Sequence, residues 1–248
     1  IETPSNPLLR LVDIRQICSE AGDEAIKVVD NTFLSPILQQ PLSLGADIVV
    51  HSTTKYINGH SDVVGGAVIA KRKEIHEDLA WWANCTGITG SPFDSFITTR
   101  GLRTLSVRMK QHEENASAVV DYLNKHPLVE QVFYPGLETH PTHQIAAQQQ
   151  TGFGAMFSFT LNQEEICLKT FVKHLQLFTL AESLGGVESL ICHPATMTHA
   201  ALSPEALEIA GIGSNLFRLS VGIEDAQDLI NDLNTALSRS RLKAVKAS

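Results

Sequence analysis

The chain has 248 residues, 43% apolar and 19% charged, which is material for one large domain or two modest ones with the composition of an ordinary soluble globular protein. Its net charge of -8 offers no basic surface to a phosphate backbone, so nucleic acid is excluded as the main partner. No apolar run approaches the roughly 20 residues of a membrane span, no signal peptide is present, and Cys18, Cys85, Cys167 and Cys192 form no CxxC pair, so a cytoplasmic protein with reduced thiols is expected.

In chain order, "IETPSNP" opens without an initiator Met and runs straight into a helical pattern, so a further segment upstream of Ile1 is expected. The first helix is predicted over about 8–20, with Ser5 or Asn6 as cap, Pro7 in the first turn and Gly22 at the stop. A strand follows at "IKVVD" (26–30), then a short helix after Pro36 that Gly45 ends. A second strand, "DIVVH" (47–51), and a third apolar run, "VVGGAVIA" (63–70), complete the first block. Continuous apolar strands separated by helices imply an α/β sheet covered on both faces. "AWWANCTG" reads as a helix end, and 91–126 contains a long stretch of near-3.6 periodicity. After His126-Pro127 the pattern changes. Strands at "VEQVFYPGL", "FGAMFSFTL", "LFTLAESLGG", "ESLICH" and "LFRLSVG" alternate with helices near 163–174, 203–210 and 224–241, the pattern of a smaller α+β domain. The expected division is 1–114 and 115–248. No internal repeat or low-complexity segment is visible.

The chemistry gathers at two strand ends. Asp30 closes "IKVVD" and Lys55 stands just past "DIVVH", and ligands of open α/β sheets sit outside the carboxyl ends of the strands. A carboxylate and a lysine placed there could equally be a structural ion pair. Ser52 and Thr54 flank the lysine at alternate positions, so on an extended chain both would offer hydroxyls to one side, toward an anion such as phosphate. An acid, a lysine and a phosphate cradle are the parts that pyridoxal 5'-phosphate requires.

The segments "ETPSNP", "VVDNTFLSP", "HSTTKYINGHSDVVGG", "RGLRTL", "GFGAMFSF", "LFTLAESLGGVESL", "HPATMTH" and "RLSVGIED" occur in the order and spacing of the Cys/Met-metabolism family of PLP-dependent enzymes, which the chain resembles over nearly its whole length. The resemblance is closest to the bacterial branch that forms cystathionine. It implies a fold-type I PLP-dependent transferase: the C-terminal part of the large PLP-binding domain followed by the smaller α+β domain. By the same resemblance Lys55 is the Schiff-base lysine and Asp30 the partner of the pyridinium nitrogen. Ser52 and Thr54 contact phosphate, and Asn6 lies near the cofactor ring and the substrate carboxylate. Arg218 clamps the substrate α-carboxylate, with Ser183 beside it; taken alone, an arginine alternating with apolar neighbours on a strand is more often ion-paired or at a sheet edge. Glu182 is the residue to watch for substrate choice, as an acid that could hold a distal amino group or simply be solvated.

The implied reaction is γ-replacement, O-succinylhomoserine and cysteine giving cystathionine and succinate, in methionine biosynthesis. The alternatives are cystathionine or methionine γ-lyase, an O-acylhomoserine sulfhydrylase, or a non-catalytic fragment of such an enzyme. The resemblance further implies a homotetramer built as a dimer of dimers, and places the ring-stacking tyrosine and the glycine-containing phosphate loop upstream of Ile1. Other candidates weaken. Cys192, His193 and His199 fit no zinc spacing and read as satisfied loop residues. "HPTHQ" (140–144) reads as a solvent-facing turn, Trp81-Trp82 as core or interface packing, and "GGAVIA" lacks the arrangement of a nicotinamide-binding loop.

Overall fold

The computed structural model describes residues 1–242. Its elements are α1 (Ile14–Glu20), β1 (Val28–Asp30), α2 (Ser35–Leu38), β2 (Ile48–Ser52), β3 (Gly66–Ala70), α3 (Lys73–Thr86), α4 (Pro92–Leu102), α5 (Leu105–Leu123), β4 (Val129–Phe133) and α6 (His143–Gln149). There follow β5 (Met156–Leu161), α7 (Leu168–His174), β6 (Thr179–Leu180), β7 (Leu190–Cys192), α8 (Pro204–Ala210), β8 (Leu216–Ser220) and α9 (Ala226–Arg239). The chain divides into two compact units, Ile1–Lys110 with Pro135–Gly154, and Gln111–Tyr134 with the chain from Ala155 onward.

In the first unit β1 lies parallel to β2, with Val29 opposite Val49 and Asp30 opposite Val50, and β3 joins β2 antiparallel. Ile14, Cys18, Val29, Leu44 and Ala46 form one buried cluster beneath. The first helix begins at Ile14, six residues later than expected. The cap is neither Ser5 nor Asn6 but Asp13, whose carboxylate accepts the Gln16 N–H at 3.0 Å. Residues 5–10 instead close on themselves, Ser5 N–H to the Arg10 carbonyl and Leu9 N–H to the Ser5 carbonyl, with Leu9 at φ 54°. The helix expected after Pro36 is two pieces, α2 and a 3-10 turn at Pro41–Leu44, because Pro41 brings no N–H to continue the first; Gly45, at φ 112°, ends the second.

Exposure corrects the reading of β3 and of His140, and narrows that of the tryptophans. β1 and β2 bury Val29, Ile48 and Val49, yet on β3 Val68 is 55% and Ile69 42% exposed, so that strand is not covered on both faces. The helix α3 buries no residue, and Trp81 and Trp82 are 58% and 60% exposed, so neither is core. His140 is likewise buried where a solvent-facing turn was expected; its Nδ1 meets the N–H and hydroxyl of Thr142.

In the second unit the strand order is β4-β5-β8-β7-β6, with β5, β8 and β7 antiparallel and β6 parallel to β7. Phe159 and Phe217 face each other across β5 and β8, stacked at 5.9 Å between centroids, and Phe171 meets Phe217 edge-on at 5.5 Å. The amphipathic α9 buries Leu229, Leu233, Ala236 and Leu237, and Asp225 caps it by accepting the N–H groups of Gln227 and Asp228. No helix among the described residues is long and apolar enough to cross a membrane.

Candidate active site

Lys55 owes its position to an interrupted strand. β2 ends at Ser52, and residues 53–58 form a turn closed by Lys55 N–H to the Ser52 carbonyl (3.2 Å), Asn58 N–H to the Thr53 carbonyl (2.9 Å) and Gly59 N–H to the Lys55 carbonyl (2.8 Å). Parallel pairing places Asp30 opposite Val50, so Asp30, Val50 and Ser52 share one face at the carboxyl edge of adjacent strands. The two strand ends singled out in the sequence are therefore brought together, Lys55 leading out of the strand that neighbours Asp30.

The Asp30 carboxylate accepts the Thr32 N–H through Oδ1 at 2.9 Å. Its negative charge is felt nearby: partial burial and then Asp30 push the otherwise surface-lying Glu2 carboxyl up. His51 is 6% exposed, and burial pulls its imidazole down although Asp30 opposes that shift. Thr32 also receives the Ser52 N–H on its hydroxyl at 2.9 Å, which locks the loop after β1 to the end of β2.

The hydroxyls part company. Because the strand stops at Ser52, the alternation that was to align Thr54 with it does not continue. Thr54 Oγ1 is instead engaged by Gly65, accepting its N–H at 3.0 Å and donating to its carbonyl at 3.3 Å. Ser52 Oγ makes no hydrogen bond with the described residues and is the hydroxyl available to an anion. Asn6 lies half-buried in the 5–10 loop, and its N–H is donated to the Glu2 carboxylate. The segment before that loop is tied to the same edge: the Asp30 N–H reaches the Ile1 carbonyl, and Gln39 Nε2 reaches the Thr3 carbonyl and Asn31 Oδ1. Thr32, Gly65, Asn31 and Gln39 were not singled out from sequence; only the Asx-turn geometry of "DNT" could have flagged the first.

In the second unit Arg218 lies mid-strand on β8, opposite Ser158 of β5 and Cys192 of β7, and is 2% exposed. Its Nη2 donates to the main-chain carbonyls of Glu182 (2.8 Å) and Ser183 (3.2 Å). These main-chain carbonyls help orient the guanidinium. So the strand brings Arg218, Glu182 and Ser183 together through backbone, while the Glu182 side chain stays exposed. Ser220 Oγ accepts the Gly185 N–H at 2.8 Å and fixes the same loop. The His199 imidazole, its Nδ1 2.8 Å from Thr198 Oγ1, is held down by burial and then by the Arg218 charge. His193 is satisfied by Thr196 and the Ser214 carbonyl, as expected of a loop histidine.

These are the parts for an aldehyde-and-phosphate cofactor on one unit, a primary amine with a carboxylate and a free hydroxyl, and a buried guanidinium for a carboxylate on the other. Comparison with known proteins identifies the family. The model of the Cys/Met metabolism PLP-dependent enzymes matches residues 1–238. A cystathionine gamma-synthase of Escherichia coli K12 is 59% identical over 234 residues, 94% of this chain and 61% of the relative. A cystathionine beta-lyase of Lactococcus lactis is 49% identical, covering 96% and 63%, and a cystathionine gamma-lyase of Dictyostelium discoideum 50%, covering 96% and 62%. The crystal structure of cystathionine gamma synthase from Xanthomonas oryzae in complex with cystathionine superposes with a TM-score of 0.93 at 62% identity, over 96% of this chain and 62% of that one. The chain thus spans a little over three-fifths of the length of the curated relatives it matches.

Proposed function

The chain belongs to the Cys/Met-metabolism family of PLP-dependent enzymes, and from that premise we propose that it is the part of a cystathionine-forming enzyme that holds the cofactor lysine and the substrate carboxylate. The observation that supports this most is the carboxyl edge of β1 and β2, where Asp30, Ser52 and the Lys55 turn meet. In this reading Lys55 Nζ is the amine to which pyridoxal 5'-phosphate attaches. Asp30 would hold the pyridine nitrogen in its cationic form, Ser52 would donate to the phosphate, Thr54 would join it only by releasing the Gly65 carbonyl, and Asn6 would lie near the ring. When bound, the cofactor supplies an electron sink for charge developing on substrate carbon.

Lys55 Nζ would move protons at substrate Cα and Cβ as general base and acid. Arg218 receives the α-carboxylate on its fork, with Ser183 beside it, and Glu182 faces the distal end, where an acid favours an amino group. For γ-replacement the Cγ–O bond of O-succinylhomoserine breaks, its electron pair leaving on succinate. The cysteine sulfur forms the new Cγ–S bond, and the thiol proton goes to solvent. The finer choice is supported by the identity to the γ-synthases; β- and γ-elimination from cystathionine is the second reading, favoured by the lyases at 49–50% identity. A homotetramer, a dimer of dimers in the cytoplasm, accompanies the proposal, and the exposed Trp81, Trp82, Phe93 and Phe96 support an interface.

The test has two stages. Purified chain incubated with pyridoxal 5'-phosphate and reduced with borohydride should carry the cofactor on Lys55, and Lys55→Ala should lose it. A chain labelled equally on all its lysines would sink the assignment. Product analysis with O-succinylhomoserine and cysteine then separates synthase from lyase, cystathionine marking the first and keto acid from added cystathionine the second.

A further inference from the structure

The turn that carries Lys55 is held from behind by an arginine that no role above uses. Arg108, in α5, is 5% exposed. It donates through Nη1 to the Tyr56 carbonyl (2.7 Å), through Nη2 to the carbonyls of Gly101 (2.8 Å) and Ile57 (3.3 Å), and through Nε to the Thr104 hydroxyl (3.0 Å). Tyr56 and Ile57 are the two residues that follow Lys55. All four acceptors are neutral, and no carboxylate within ion-pair reach of Arg108 occurs among the described residues. A buried guanidinium spent wholly on main-chain carbonyls and one hydroxyl is costly as packing, since a buried charge is normally paired. What it gains is geometry, because only a rigid planar fork can bind carbonyls from two separate segments at once.

The surroundings are cut to fit it. At Gly59, φ 73°, a Cβ would overlap Arg108 Nη1, and at Gly101 a Cβ would overlap the Asn58 carbonyl oxygen. Two glycines, 42 positions apart, thus clear the space through which α4, α5 and the turn approach. On the opposite side Thr32 fixes the Ser52 N–H. The backbone is therefore pinned before the lysine by a hydroxyl and after it by a guanidinium.

We propose that Arg108 is the positioning residue of the lysine turn: by capturing the Tyr56 and Ile57 carbonyls and tying them to Gly101, it sets the direction in which Lys55 leaves the sheet edge. The inference rests on the reading of Lys55 as the cofactor-bearing amine. It concerns how fast that amine meets an aldehyde, because misplacing a reacting group by about an ångström can cost on the order of 100-fold in rate. Lysine at 108 would keep the charge but lose the fork, so a role resting on charge alone predicts rescue by Arg108→Lys and a role resting on geometry does not.

The experiment uses the whole chain. It is mixed with pyridoxal 5'-phosphate, reduced with borohydride at timed intervals and digested, and labelling is counted by mass spectrometry at Lys55 and at the exposed Lys173 of α7 as internal reference. In the parent chain Lys55 should label faster than Lys173. Arg108→Ala should slow Lys55 by roughly tenfold or more and leave Lys173 unchanged, Arg108→Lys should stay slow, and millimolar methylguanidine should restore Arg108→Ala alone. Wild-type labelling of Lys55 in folded Arg108→Ala overturns the inference while the Lys55 assignment stands. Should Arg108→Ala not fold, Gly59→Ala, which keeps the arginine and displaces its Nη1, takes its place, and wild-type labelling there overturns the inference equally. No preference for Lys55 over Lys173 in the parent chain removes both readings together.

Discussion

Asp232 offers a quantitative check on how the Arg218 unit is held. It sits in the middle of α9, nearly buried, and its carboxylate accepts three backbone N–H groups in the segment leading into β6: Gln176 on Oδ1 at 2.9 Å, and Leu177 and Phe178 on Oδ2 at 2.9 and 3.2 Å. Truncation to Ala strands all three donors. Gln176 and Leu177 are exposed residues whose N–H groups can turn to water, so each loss is about 0.5–1.5 kcal/mol. Phe178 is buried, and its amide left unpaired costs about 1–3 kcal/mol. Alanine recovers about 0.6 kcal/mol of helix propensity, so the net loss is about 1.5–5.5 kcal/mol. Asp232→Asn, which turns one oxygen into a donor facing N–H groups, should fall between parent and Ala. Urea unfolding followed by far-UV circular dichroism reads this as a lower midpoint at constant m-value. Two variants that both stay within 1 kcal/mol of the parent would refute the claim that this carboxylate organises the segment before Glu182 and Ser183.

Two further outcomes are expected. Gly101→Ala adds the better helix former inside α4, worth about 1 kcal/mol, yet its Cβ must enter the space of a backbone oxygen at Asn58, and overpacking of this kind costs about 1–3 kcal/mol. The melting temperature should fall, and a rise would show that the Lys55 turn yields to α4. Asp47 is held below the usual carboxylate range, chiefly by the Lys27 N–H at 2.9 Å, with the Lys27 ammonium at 3.2 Å and Arg72 at 3.8 Å also lowering it. A folded-state value below the unfolded one means stability present above the ordinary carboxylate range and lost as pH falls through the folded value. Asp47→Asn should flatten the acid limb of stability measured by urea titration between about pH 5 and pH 2; an unchanged slope would contradict the assignment.

How much of this was legible depends on whether a residue acts through its side chain in a local pattern or through someone else's backbone. Lys55, Asp30 and Ser52 could be placed because an apolar run ending in a polar cluster fixes a strand end, and neighbouring parallel strands end at one edge. Thr54 was grouped with Ser52 by extending strand periodicity two residues too far, past the point where the Gly65 backbone captures its hydroxyl. The first helix was drawn too early because Pro7 and Ser5 satisfy capping rules that Asp13 satisfies better once residues 5–10 close into a loop. For Trp81 and Trp82 core and interface could not be told apart, because composition speaks to hydrophobicity and not to which face finds a partner; their exposure leaves the interface reading.

Arg108 was out of reach for a different reason. Its partners are carbonyl oxygens of Tyr56, Ile57 and Gly101, and a carbonyl leaves no mark in the sequence at the position that supplies it. The same holds for Arg218, whose partners at Glu182 and Ser183 are backbone atoms on residues singled out for their side chains. In both units, then, the buried guanidinium reads a loop's main chain. Lys55 on one loop and Glu182 on the other thus sit on backbone held by an arginine from outside the loop. Side-chain changes at the buried Tyr56 or Ile57 act through packing and keep the carbonyls that Arg108 binds, whereas a Cβ at Gly59 or Gly101 enters the space of Arg108 or of the Asn58 carbonyl itself.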